Sequence, residues 1–181
     1  NKSFWTGDLP RKWDEGQWQA GRYLLYETGN NADQIIFWAR FPIILLSLLL
    51  GYFIFKWTRD LAGVLAGLFA LAIYAFDPNV LGHNHFVTTD IGIAAFVTFF
   101  FYYFIQFIKR PSWKNILQAG IFMGLVQLAK FSSVMTFPIF AMILVVYPLV
   151  KIKVEENTSR LKLLGEYVGK GFLVFALSMV V

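Results

Sequence analysis

The chain has 181 residues, of which 57% are hydrophobic, 19% aromatic and 15% charged, whereas about a quarter of a soluble domain is charged. This composition predicts a polytopic membrane protein, and the lack of cysteine excludes a disulfide framework and a thiolate metal site. The net charge of +5 comes from basic residues at the ends of apolar runs, which indicates membrane anchoring and argues against nucleic acid as a partner.

The N-terminal stretch, residues 1–34, is too polar to cross a membrane. Four aromatic residues suit a short helix in the headgroup region: Trp13, Trp18, Tyr23 and Tyr26. Asn31 or Asp33 is expected to cap the helix that follows. We interpret this stretch as the end of a first extracytoplasmic loop with an interfacial helix.

Residues 35–181 predict an all-α transmembrane helix bundle with about five full spans and a partial sixth, since a spanning helix needs roughly 20 apolar residues. The predicted spans lie near residues 35–55, 61–76, 86–108, 116–129, 132–150 and 171–181. Both ends of the chain stop abruptly, so we expect it to be an internal piece of a longer protein.

Basic residues indicate how the helices cross the membrane. Ten of the sixteen fall in three alternate connections: Lys56, Arg59, Lys109, Arg110, Lys114, Lys151, Lys153, Arg160, Lys162 and Lys170. The positive-inside rule makes these connections cytoplasmic. Residues 77–90, residues 130–133 and the N-terminal stretch are then expected on the extracytoplasmic side of a bacterial plasma membrane.

A polar island between two apolar runs extends from Asp77 to Asp90. Ionisable groups are costly at a membrane face, so this island is the strongest candidate for chemistry. Asp90 follows Thr88-Thr89, a pattern typical of a capped helix start whose acid is favoured by the helix dipole. A catalytic or metal-binding role is the alternative interpretation of Asp90.

Two histidines in the island, His83 and His85, are predicted to lie in a loop. With Asp90 they suit a divalent metal such as Mg or Mn, or they bond to headgroups and backbone. Asp77 precedes Pro78, which first indicates a helix stop and turn, with a substrate contact as the alternative.

Two basic residues are expected at the depth of lipid headgroups, Lys130 and Arg40. Each is either a snorkelling anchor or a partner of a lipid phosphate. The adjacent acids Asp14 and Glu15 resemble a catalytic pair, but they open an amphipathic run and are interpreted as solvated residues.

The ordered motifs resemble the C-type glycosyltransferases, in particular bacterial proteins similar to the dolichyl-phosphate-mannose–protein mannosyltransferases. They are ARFP at 39–42, YAFDPNVLGH at 74–83, VTTD at 87–90, RPSW at 110–113, GIFMGL at 120–125, AKFS at 129–132 and Pro138. The resemblance covers about residues 20–150.

This resemblance implies an enzyme that moves a sugar from a polyprenyl-phosphate donor to an acceptor, a protein hydroxyl or a lipid or glycan, with inversion at the anomeric carbon. It implies that Asp90 is the second-loop acid that assists the donor phosphate or a metal. His83 and Lys130 match polar positions in the same cavity, and substrate binding is also expected of His85, Arg40 and Asp77.

The family's general base is a first-loop acid that directly follows a spanning helix. No such helix precedes Asp14 and Glu15 here, so we expect the base upstream of this chain and expect the piece alone to be inactive. Two alternatives stay open: a secondary transporter with a polar substrate site among its helices, and a non-catalytic membrane subunit.

Overall fold

The computed structural model of the chain describes residues 18, 20–27, 29–84, 86–154 and 160–180, and the regular elements in these ranges are all helical. They are a π-helical turn Tyr23–Glu27, α1 Ala32–Ala62, α2 Val64–Phe76, α3 Pro78–Asn84, α4 Asp90–Lys109, α5 Trp113–Ala129, a 3₁₀ segment Phe131–Met135, α6 Thr136–Val154 and α7 Arg160–Ser178.

Three segments are long and apolar enough to cross a membrane: Ala32–Ala62, Asp90–Lys109 and Phe131–Val150. A shorter apolar helix, α2, has 13 residues. The predicted all-α, polytopic membrane fold is confirmed by these helices.

The helices differ in their bounds from the predicted spans. α1 continues to Ala62, so Lys56 and Arg59 lie on a helix rather than in a loop. The chain turns at Gly63, whose φ of 91° lies in the left-handed region that glycine adopts without strain. α7 already begins at Arg160, eleven residues before the predicted span, because long basic side chains are good helix formers.

The chain divides into two compact units, Asn1–Pro42 and Ile43–Val181. In the first unit, Asn31 Oδ1 accepts a hydrogen bond of 3.1 Å from the backbone nitrogen of Gln34. This bond confirms the predicted cap at Asn31.

The second unit has its main core among α4, α5, α6 and α7. Its largest fully buried side chains in this core are Phe100, Phe104, Phe107, Met123, Val126 and Val174. Gly120 lets α5 approach α7 closely, since a Cβ built there would lie 2.7 Å from Cβ of Leu177. Such close contact is how helices associate within lipid.

A smaller cluster joins the second half of α1 to α2 and α4. The hydroxyls of Ser47 and Tyr74 lie 2.8 Å apart, and the ring centroids of Phe53 and Phe99 are 4.3 Å apart. These contacts fix α4, whose first residue is Asp90.

Candidate functional site

Three polar side chains from separate elements of the second unit meet at one end of the bundle. Lys130 Nζ lies 2.7 Å from Asp90 Oδ1, and His83 Nδ1 lies 3.5 Å from Asp90 Oδ2. Each side chain is nearly half exposed, with fractions of 45% for Lys130, 40% for Asp90 and 48% for His83. The cluster is therefore open to a ligand.

The antiparallel packing of α4 and α5 brings Asp90 and Lys130 together. The rings of Phe99 and Phe122 are 5.4 Å apart. Asp90 precedes Phe99 by nine residues, and Lys130 follows Phe122 by eight. With a rise of about 1.5 Å per helical residue, Asp90 and Lys130 lie at nearly the same height along the two antiparallel helices.

Lys130 lies where the chain leaves α5 and enters the 3₁₀ segment. Its backbone is extended, with φ −163° and ψ 142°, and its carbonyl accepts a 3.0 Å bond from the nitrogen of Ser133. The interruption of the helix aims the ammonium at Asp90 and away from the axis of α5.

His83 lies near the end of α3, whereas the sequence predicted a loop there. Pro78 opens this helix, where its fixed φ is favourable and its missing N–H costs nothing. Asp77 Oδ1 accepts backbone bonds of 2.8 Å from Asn79 and 3.1 Å from Val80. The helix stop predicted at Asp77 is confirmed, and its substrate contact stays a prediction.

Asp90 is the first residue of α4, as predicted, but the Thr cap is absent from this described helix start. Thr89, at the N-cap, makes no side-chain hydrogen bond there. The carboxylate of Asp90 instead bonds to Lys130. Because exposed ion pairs contribute little to stability, this pairing adds little to the stability of the fold.

A metal held by Asp90 and His83 stays a prediction. Within the described ranges, no group of three histidine, aspartate or glutamate side chains is placed to hold one. Magnesium is often held by one or two carboxylates together with substrate phosphates, so Asp90 alone would need a phosphate ligand to complete such a site. Lys130 already balances the charge of that carboxylate.

The described structure does not define where four other predicted residues lie relative to this cluster. His85, Asp14 and Glu15 lie outside the described residues. Arg40 belongs to the first unit, and its Nε is buried with no hydrogen-bond partner among the described atoms.

One polar contact near this end was not singled out from the sequence. Gln127, one turn before Lys130 in α5, donates a 3.1 Å bond to Ser178 Oγ at the end of α7. A polar residue in the apolar second half of α5 is the sequence signal that marks this contact.

The arrangement suits an anionic ligand. A lysine ammonium bonds strongly to phosphate oxygens, and the carboxylate beside it fixes the position of that ammonium.

Residues 30–180 match the sequence profile of a family described as dolichyl-phosphate-mannose-protein mannosyltransferase. No curated protein and no solved structure shows a significant match to the chain.

Proposed function

The chain belongs to the dolichyl-phosphate-mannose-protein mannosyltransferase family and is therefore a membrane glycosyltransferase of the C type. We propose which donor and acceptor it uses and on which side of the membrane it acts. The donor is a polyprenyl-phosphate-linked sugar, and the acceptor is a hydroxyl of a protein, lipid or glycan. Transfer takes place on the extracytoplasmic face of a bacterial plasma membrane.

The observation that carries this proposal is the contact of 2.7 Å between Lys130 Nζ and Asp90 Oδ1 in a half-exposed cluster. The ammonium binds a phosphate oxygen of the donor and stabilises the negative charge that grows on the leaving phosphate. Asp90 holds the ammonium in place for this task. The exposed imidazole of His83 borders the same position.

In the transfer step, the acceptor oxygen forms a bond to the anomeric carbon. The bond from that carbon to the phosphate oxygen breaks, and its electron pair goes to the polyprenyl phosphate. Asp90 is engaged with Lys130, so the acceptor proton passes to a different carboxylate, which acts as the general base. Attack opposite to the leaving phosphate inverts the anomeric centre.

A divalent ion, if bound by Asp90 and His83, would supply further positive charge to the leaving phosphate. The ammonium of Lys130, held by Asp90, is a donor to the same phosphate when no ion is bound. No step of the proposed transfer depends on the ion.

The test is transfer of labelled sugar from polyprenyl-phosphate-mannose by the complete protein in membranes. We expect Asp90→Asn to lower the rate by about 10²-fold, the cost of removing one preorganised electrostatic group. The matched control is Asp60→Asn, since Asp60 is similarly exposed and ion-paired at 2.9 Å to Arg59. We expect this control to keep the full rate.

Normal transfer by Asp90→Asn would overturn the role of the cluster. Accumulation of a solute that depends on Asp90, with no sugar reaching an acceptor, would instead identify a carrier.

A further inference from the structure

A shallow, open cleft lies in the first unit, at the beginning of α1, and it has a volume of about 440 Å³. Five residues line it: Asn30, Asn31, Gln34, Ile35 and Trp38. Three of them carry carboxamides and one carries an indole. Ligand sites of this volume combine an apolar surface with a few placed polar groups.

Two of the three carboxamides at this cleft, those of Asn30 and Asn31, have defined positions. Asn30 Nδ2 donates a 2.9 Å bond to the carbonyl of Leu24. The cap holds Asn31 Oδ1 at the backbone nitrogen of Gln34, which leaves the N–H donors of the Asn31 amide for a ligand. The exposed amide of Gln34 supplies both a carbonyl acceptor and N–H donors.

The indole of Trp38 forms an apolar wall of the cleft. Its exposed fraction is 59%, a large value for tryptophan. The ring packs edge to face with Phe37 at 5.6 Å and with Phe41 at 5.9 Å between centroids. These two ring contacts restrict the orientation of the indole and leave more than half of its surface exposed to a ligand.

The lining selects among ligand classes by charge. Among the described residues, the five that line the cleft include no lysine, arginine or histidine, and phosphate recognition relies on such cations. A hydrocarbon chain would offer the carboxamides no hydrogen-bond partner. A neutral pyranose fits both features, because its C–H face packs on an aromatic ring and its hydroxyls bond to amides.

We propose that this cleft binds an uncharged pyranose unit of the acceptor, so that the acceptor is a glycan. The inference of saccharide binding is based on the residues of the cleft alone, whereas the assignment of that saccharide to the acceptor rests on the proposed transfer.

The test measures binding of methyl α-mannopyranoside and of a mannotriose to the complete protein in nanodiscs, by saturation-transfer NMR. We expect both probes to bind, and Trp38→Ala and Gln34→Ala each to weaken binding at least tenfold. The matched control is Trp113→Ala, since Trp113 is 63% exposed and the nearby amide of Asn115 is bonded at 2.8 Å to the Arg110 carbonyl. This control should bind both probes normally.

A second arm measures transfer to the mannotriose. We expect Trp38→Ala to raise KM for this acceptor and to leave kcat unchanged, and Asp90→Asn to lower kcat while saccharide binding persists. Failure of the wild-type protein to bind either saccharide overturns the inference, and transfer to a peptide hydroxyl would then leave the proposed function intact.

Two further results also overturn the inference. Binding of polyprenyl-phosphate-mannose alone, lost in Trp38→Ala, would identify a site for the donor headgroup. Equal loss of binding in Trp113→Ala and Trp38→Ala would show that the effect of Trp38→Ala is nonspecific.

Discussion

Lys130 Nζ lies 2.7 Å from Asp90 Oδ1, although 40 positions separate the two residues along the chain. The pair joins the end of α5 to the beginning of α4, and both groups remain nearly half exposed. Exposed ion pairs stabilise a fold only slightly, so we expect the pair to act mainly on what binds beside it.

Lys130→Met should therefore impair transfer while leaving the melting temperature of the protein nearly unchanged. We expect the rate with polyprenyl-phosphate-mannose to fall about 10²-fold, because the leaving phosphate loses its cation. The double variant with Asp90→Asn should be hardly slower than either single variant, since the two groups act as a unit. The measurement is a double-mutant cycle of transfer rates.

The control for this cycle is Lys170→Met, since Lys170 forms an ion pair with Glu166 within α7. It should keep the wild-type rate. Independent, multiplicative losses in the Asp90 and Lys130 variants would contradict the model of a single unit.

The sequence predicted that Asp90 and Lys130 lie on one side of the membrane, because the basic residues alternate along the chain. Their direct contact was not predictable from this alternation, since it depends on the rotation of α4 and α5 about their axes. The contact of Phe99 with Phe122 sets that register, and aromatic residues occur throughout α4, so the sequence does not single out Phe99 as the partner. Long helices, the cap at Asn31 and the helix stop at Asp77 were predictable, while the starts of α3 and α7 were not.

His83 illustrates the same limit at the candidate site. Its residue type and its place in a polar island identified it, but the predicted loop is a short helix. Pro78 and the cap by Asp77 start that helix, whereas the sequence analysis interpreted this pair only as the end of the preceding helix.

Divalent-ion removal tests the predicted metal contact of His83 and Asp90. We expect His83→Ala to raise the Mn²⁺ concentration needed for half-maximal transfer by about tenfold or more, the usual cost of disturbing a metal site. The assay compares rates in EDTA and in an Mn²⁺ titration. Full activity of the wild-type protein in EDTA would exclude an essential ion, and Lys130 would then act alone on the phosphate.

Two variants of Asp77 separate its structural role as a helix cap from its predicted role in substrate binding. Asp77→Ala removes the acceptor of two backbone bonds and should destabilise α3 by about 1 kcal/mol, as for other caps. Asp77→Asn keeps a capping oxygen, so we expect normal thermal stability and normal transfer. Reduced transfer by a stably folded Asp77→Asn would instead confirm the substrate contact predicted from the sequence.

Gly120 tests the close packing of α5 on α7. Gly120→Ala should lower the free energy of unfolding by about 1–3 kcal/mol, because the new Cβ would meet Leu177 Cβ at 2.7 Å. The control is Gly169→Ala in α7, where nothing lies within 4 Å and helix propensity favours alanine by up to about 1 kcal/mol. Equilibrium unfolding in mixed micelles measures both, and a stabilised Gly120→Ala would contradict this packing.

The predicted membrane side of the Asp90 cluster is testable because the chain contains no cysteine. Gly82 in α3 is exposed and has open space around it, so Gly82→Cys should accept a thiol without disturbing the fold. We expect a membrane-impermeant maleimide to label it from outside intact cells. Lys114→Cys, at the exposed start of α5, is the matched control and should react only after permeabilisation. The reverse pattern would place the cluster on the cytoplasmic side, where an extracytoplasmic acceptor cannot reach it, and would overturn the proposed site of transfer.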